Sequence, residues 1–181
     1  MNVIPDAKLP DVLRIEPRAF GDARGFFFES HQVERYTAAG IVGPFVQDNI
    51  SRSARGTLRG LHFQIERSQA KLVQVIRGAI FDVAVDVRKS SPTFGHWTGH
   101  VLSDENHHQL YIPVGFAHGF CVLSEVADVL YKCTDTYFPQ HERAIQWNDP
   151  AIGIAWPLEV PPILSVKDQQ GKPLADAETF A

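Results

Sequence analysis

Apolar and polar residues alternate with a period of two through the middle of the chain. In Phe81-Asp82-Val83-Ala84-Val85-Asp86-Val87-Arg88, the residues Phe81, Val83, Val85 and Val87 share one face, and Asp82, Asp86 and Arg88 the other. That pattern predicts a β-strand. Leu72 to Ile76 predicts a preceding strand, with Arg77-Gly78 as the tight turn between the two. Trp97 to Leu102, Gln109 to Pro113, Gly119 to Leu123 and Asp128 to Tyr137 continue the series, separated mostly by Gly, Pro, Ser, Asn or Asp. Regular short strands of this kind predict an all-β fold, an antiparallel sandwich or barrel. Helix is scarce: Gln32 to Ala39 predicts one short helix, stopped by Gly40. Beyond Tyr137 the prolines at Pro139, Pro150, Pro157, Pro161 and Pro162 predict loops. No internal repeat or linker interrupts residues 1–181, so one domain is expected, with a loosely held polar tail from Gln169 to Ala181.

Composition narrows the partners. A chain of 181 residues with 44% hydrophobic content is long enough to bury a sizeable core. No apolar run approaches the roughly 20 residues that cross a bilayer, so no membrane association is expected. Met1-Asn2-Val3-Ile4-Pro5-Asp6 carries neither a basic segment nor a long apolar core, and a cytoplasmic protein is expected. Lys and Arg total 17 against 21 Asp and Glu, which argues against nucleic acid as a partner but leaves room for a small anion held by a few cations. The two cysteines, Cys121 and Cys133, lie in hydrophobic segments and predict buried free thiols.

The densest chemistry is Arg59-Gly60-Leu61-His62-Phe63-Gln64, followed by Lys71. With eight histidines in the chain, metal binding has to be weighed first. Strand-borne mononuclear sites commonly take two His from alternate positions of one strand, and the partner position after His62 is Gln64. His107 and His108 are adjacent and so point to opposite faces of a strand, while His96 and His100 beside Trp97 and Gly99 predict a solvated face. No metal is expected. His62, between Leu61 and Phe63, is either a core histidine satisfied by a hydrogen bond or a general base, which needs a partner to fix its tautomer. Asp168 is the candidate partner. Tyr131 shares a face with Val129, Cys133 and Tyr137: such tyrosines are usually structural, but in a cavity with His62 a phenol becomes a proton donor. Lys71 has the parity of Val73 and Val75, so its ammonium either escapes to water or faces a cavity, where it would stabilise an oxyanion. Arg24 and Arg59 are either surface charges or bidentate ligands for a diphosphate. No Walker-type or dinucleotide glycine motif occurs.

A series of ordered segments adds to this reading. It comprises Asp22 to Glu29, Gln47-Asp48-Asn49, Thr57 to Gln64, Gln69 to Val73, Phe81 to Arg88, Ser91 to Gly95, Ile112 to Phe120, Tyr131 to Thr134, Trp147 to Pro150 and Leu164 to Asp168. This series strongly resembles the dTDP-4-dehydrorhamnose 3,5-epimerase family, cupin-like jelly rolls that act without metal in L-rhamnose nucleotide-sugar synthesis. The resemblance implies an antiparallel jelly-roll β-barrel with short flanking helices, a dTDP-4-keto-6-deoxy sugar as substrate, no cofactor, and a homodimer. It also implies the roles. His62, oriented by Asp168, would remove the protons at C3 and C5; Lys71 would face the C4 oxygen; Tyr131 would protonate the opposite face. Arg24, Glu29, Gln47, Asp48, Asn49, Arg59, His118, Glu142 and Lys167 match ligand-binding positions, and Tyr137 matches the tyrosine that stacks on thymine. Arg24 or Glu29 would act across the dimer, which an N-terminal arm and C-terminal extension would contact. Cell-wall rhamnose, O-antigen lipopolysaccharide and a secondary metabolite all remain open as the sugar's destination. One departure is Ile65-Glu66-Arg67, where relatives often carry prolines, and it bears on substrate entry. Competing readings are an epimerase of C3 or C5 alone, a sugar-binding jelly roll without catalysis, and a metal-dependent cupin.

Overall fold

The computed structural model describes every residue from Met1 to Ala181. The chain opens with β1 (Asn2–Pro5), β2 (Leu13–Glu16) and a hairpin of β3 (Phe20–Asp22) and β4 (Gly25–Phe27), followed by helix α1 (Val33–Ala38). The body follows as β5 (Gln47–Ala54), β6 (Leu58–Gln64), β7 (Lys71–Arg77), β8 (Ala79–Asp86), β9 (Trp97–Ser103), β10 (Gln109–Ile112), β11 (Phe116–Val122) and β12 (Val126–Cys133). A short β13 (Glu142–Ala144) and a one-turn helix α2 (Val166–Gln169) complete it. Two antiparallel sheets result, ordered β1-β2-β10-β7-β12-β5 and β13-β6-β11-β8-β9, with β3–β4 as a separate two-stranded ribbon. The all-β expectation holds, and each strand expected between Leu72 and Cys133 is present. The last one is shorter than expected: β12 leaves the ladder at Cys133, so Asp135 to Tyr137 are not strand.

Three apolar layers hold the sheets. Val73, Val75, Ile80, Ala84, Phe116, Phe120 and Val129 come from both sheets and fill the space between them. Leu72, Tyr111 and Ile15 use the outer face of the six-stranded sheet, capped by Tyr36 of α1 and Ile41. On the outer face of the five-stranded sheet, Val83, Val85, Val87, Leu61 and Phe63 are covered by Ile145, Ile152, Leu174 and Ala177. The apolar face of β8 is therefore sealed by the C-terminal segment. Its alternate residues, including Asp82 and Asp86, point between the sheets, where both are fully buried.

Two expectations are corrected here. The tail is not loose: Phe180 bonds its backbone to Val87 and Lys89 and packs its ring on Phe63, because the outer valines need a cover. The C-terminal extension thus packs on its own sheet. The face of His96 and His100 is solvated only at His96, which is exposed; Asp6 folds over His100, its carboxylate 2.9 Å from the imidazole. Cys121 and Cys133 are buried free thiols, as expected. No helix is long and apolar enough to cross a membrane.

Candidate active site

One end of the space between the sheets opens into a cavity of about 330 Å³. The six-stranded sheet supplies one wall through a simple cross-strand row. In β7 the parity that buries Val73 and Val75 also turns Lys71 inward. Cys133 pairs with Lys71 on one side and with Gln47 on the other, while Tyr131 pairs with Val73 and Asn49. Gln47, Asn49, Lys71, Tyr131 and Cys133 accordingly share the wall.

The facing wall depends on an irregularity in β6. His62 pairs with His118 of β11, but Arg59 pairs with Phe120, so three steps on β6 match two on β11. This bulge brings Arg59 and His62, of opposite parity, to the same cavity. Gly60 makes it possible: its φ is +134°, and a Cβ there would lie 2.5 Å from the Gly119 Cα. Arg59 also donates to the Ser53 hydroxyl across the cleft at 3.0 Å.

Behind His62 stands Asp168, from the last turns of the chain. Ser165 caps α2, and Asp168 closes a capping box by accepting the Ser165 backbone N–H. Its Oδ1 lies 2.8 Å from His62 Nε2, approached too obliquely for an aligned hydrogen bond, and also accepts the Gly60 N–H at 3.1 Å. Its Oδ2 accepts the Ser165 hydroxyl at 2.5 Å. Burial alone would raise the Asp168 carboxyl, but His62 and these donors hold it well below the usual carboxylate range. Burial lowers the His62 imidazole, which Asp168 only partly offsets and Lys167 and Lys71 reinforce. His62 is therefore neutral at neutral pH, as a base must be.

The opposite wall holds its protons. Burial raises the Tyr131 phenol, and burial likewise raises the Cys133 thiol, so both stay protonated. Lys71 is lowered by burial, and no carboxylate lies within ion-pair distance of its ammonium. A cation placed this way is free to meet developing negative charge. At the rim, Glu142 accepts from Lys167 at 2.8 Å and from the Tyr137 hydroxyl at 3.0 Å. Burial would raise Glu142, and the Lys167 ammonium brings it below its ordinary value.

His62, Lys71, Tyr131 and Asp168 all reach this cavity, as do Gln47, Asn49, Arg59, His118, Tyr137, Glu142 and Lys167. Three expected residues do not line it. Asp48 is a correction: the alternation of β5 that turns Gln47 and Asn49 inward points Asp48 out, onto Lys132 at 2.8 Å. Arg24 sits at the tip of the β3–β4 hairpin on Asp22, and Glu29 pairs with Arg35. Residues that sequence reasoning passed over include Ser51 and Gln69 in the lining and Asp82, whose Oδ1 lies 2.7 Å from His118 Nε2. Asp82 carried a signal: an acid in a strand buried on both faces needs a partner. No group of three or more His, Cys, Asp or Glu side chains gathers as a set of metal ligands.

A family model described as dTDP-4-dehydrorhamnose 3,5-epimerase matches residues 6–176. The dTDP-4-dehydrorhamnose 3,5-epimerase of Pseudomonas aeruginosa is 60% identical over 173 residues, covering 95% of this chain and 96% of that protein. A crystal structure of dTDP-6-deoxy-D-glucose-3,5-epimerase from Legionella pneumophila, in complex with dTDP-4-keto-L-rhamnose, superposes with a TM-score of 0.94. It is 52% identical, over 97% of this chain and 93% of that one. The Bacillus anthracis dTDP-4-dehydrorhamnose 3,5-epimerase, with TDP and PPi bound, gives 0.91 at 48% identity, over 95% of this chain and 98% of that one.

Proposed function

The chain belongs to the dTDP-4-dehydrorhamnose 3,5-epimerase family, and from that premise we propose that it inverts C3 and C5 of dTDP-4-dehydro-6-deoxy-D-glucose to give dTDP-4-dehydro-L-rhamnose. One observation carries the reading: an Asp168-backed imidazole on one sheet and a protonated phenol on the other share a cavity with an unpaired ammonium. His62 takes the proton from C3 or C5, and the electron pair of that C–H bond moves into the ring as an enolate. The C4 oxygen gains the negative charge beside the Lys71 ammonium. Tyr131 then gives its proton to the same carbon from the opposite face, which inverts the centre and restores the ketone. Exchange with solvent resets the imidazolium and the phenolate. Redox state and phosphoryl groups are unchanged throughout, so these side chains suffice and no cofactor is required.

Arg59, Gln47, Asn49, His118, Glu142 and Lys167 would hold the nucleotide sugar, with Tyr137 stacked on its thymine; Tyr137 is 48% exposed at the rim, as a stacking platform must be. Arg24 and Glu29 would reach a partner subunit's cavity. The β3–β4 ribbon supports this, since it pairs only with itself and exposes Phe20, Phe26 and Phe27. We therefore read the protein as a cytoplasmic homodimer, supplying rhamnose to a surface polysaccharide such as O-antigen, with neither nucleic acid nor membrane as partner.

Incubation with the 4-keto substrate in deuterated water tests the reading by NMR. Deuterium at both C3 and C5 is the expected outcome. Label at one carbon only would assign a single-centre epimerase, and label at neither would remove the catalytic reading altogether.

A further inference from the structure

The segment that carries Tyr137 has no ladder of its own. After β12 ends at Cys133, residues 135–138 run irregularly, and glutamines from elsewhere satisfy their backbone. Gln69 donates to the Asp135 carbonyl at 2.7 Å, and Gln47 accepts the Tyr137 N–H at 2.9 Å. The buried Gln64 does two jobs, donating to the Thr136 carbonyl at 3.2 Å and accepting the Phe138 N–H at 2.7 Å. Its amide nitrogen also donates to the Arg67 carbonyl at 2.6 Å, which ties the segment to the loop after β6.

Arg67 closes the other side of this clamp. Its guanidinium donates to both oxygens of Asp135, at 2.7 and 2.6 Å, and lies 4.1 Å from the centre of the Phe138 ring. Asp135 Oδ1 in turn accepts the Thr136 N–H at 2.7 Å. An exposed ion pair normally contributes little, because two long side chains must be ordered in water. This one is bidentate and stacked, so the fork is held in a single geometry. It grips residues on both sides of Tyr137, whose ring forms the rim of the cavity.

We propose that Arg67 is a positioning residue for nucleotide recognition, fastening the Asp135–Phe138 segment so that the Tyr137 ring stands ready for the base. Arg67 does not line the cavity. The inference rests on the assignment of Tyr137 to the thymine. It also gives a use to the stretch Ile65-Glu66-Arg67, where the loop carries an arginine hook.

Calorimetry with dTDP and with inorganic pyrophosphate, on the full chain, separates the outcomes. In Arg67→Ala, dTDP affinity falls about tenfold, the scale of one lost base–aromatic stack, while pyrophosphate affinity stays within about twofold. KM for the nucleotide sugar rises in parallel with unchanged kcat. Asp135→Asn reproduces the loss, and the double variant loses no more, because the two side chains act as one unit. Unchanged dTDP affinity in Arg67→Ala, or equal losses of dTDP and pyrophosphate, would overturn the proposal while leaving the family's chemistry intact. A wild-type protein that binds no dTDP would overturn the reading beneath it as well.

Discussion

Two histidine–aspartate pairs face each other across neighbouring strands of the same sheet, and they are built differently. His62 and His118 are direct cross-strand partners, each with a carboxylate oxygen within 2.8 Å of Nε2. Asp168 arrives from a capped helix turn, 106 positions beyond His62, and its two oxygens accept from Gly60 and Ser165 as well. Asp82 comes from the adjacent strand β8, is fully buried, and leaves Oδ2 without a partner. The first pair is a fixed anion that can stabilise an imidazolium each time one forms. The second is a buried carboxylate with a single support. Identical residue types are therefore held differently, and the difference lies in who else binds the carboxylate.

Substitutions of the two imidazoles should split them most widely. His62→Ala is expected to lower deuterium exchange at both C3 and C5 by about 10³-fold or more, the scale of a lost general base, with dTDP still bound. His118→Ala should mainly raise KM, by about tenfold, as a lost ligand contact does. Comparable loss of exchange in both variants, measured by NMR, would erase the distinction.

Neutralising the two carboxylates gives a smaller contrast. Asp168→Asn removes the negative charge that favours imidazolium, and kcat should fall on the order of 10²-fold. Asp82→Asn keeps an acceptor for His118 and should change kcat by less than about tenfold. A larger effect at Asp82 than at Asp168 would reverse the assignment.

The pH profile sharpens the same comparison with the least perturbation. Because burial lowers His62, kcat/KM should rise with pH through a value below 6.5, as the base loses its proton. Burial raises the Tyr131 phenol and lowers the Lys71 ammonium, so each is displaced from its ordinary value. An alkaline limb is expected where either group loses its proton, and Tyr131→Phe, which removes one of the two, tells which group sets it. An acid limb above pH 7 would show that Asp168 outweighs burial at His62.

Much of this was legible in the sequence because alternation reports directly on strands. Phe81 to Arg88 could be divided into two faces by eye, and Lys71 could be placed with Val73 and Val75. Alternation does not say what covers a face. The valines of β8 were sealed by a tail whose polar composition suggested looseness, because only a few residues, Leu174, Ala177 and Phe180, do the covering. Nor does it register an inserted residue. Strict parity would send Arg59 and His62 to opposite sides, and the single warning was a glycine inside a strand. Asp48 failed for the converse reason: adjacency to Gln47 and Asn49 drew it into a group whose side chains diverge. The meeting of Asp168 with His62 depends on a loop path that no local pattern encodes.

The extra residue at Gly60 carries a lesson for anyone redesigning this sheet. Deleting one residue there would restore an even ladder and satisfy every rule of strand regularity. It would also turn either the guanidinium or the imidazole out of the cleft, leaving a tidier sheet that had lost half its grip on the sugar nucleotide.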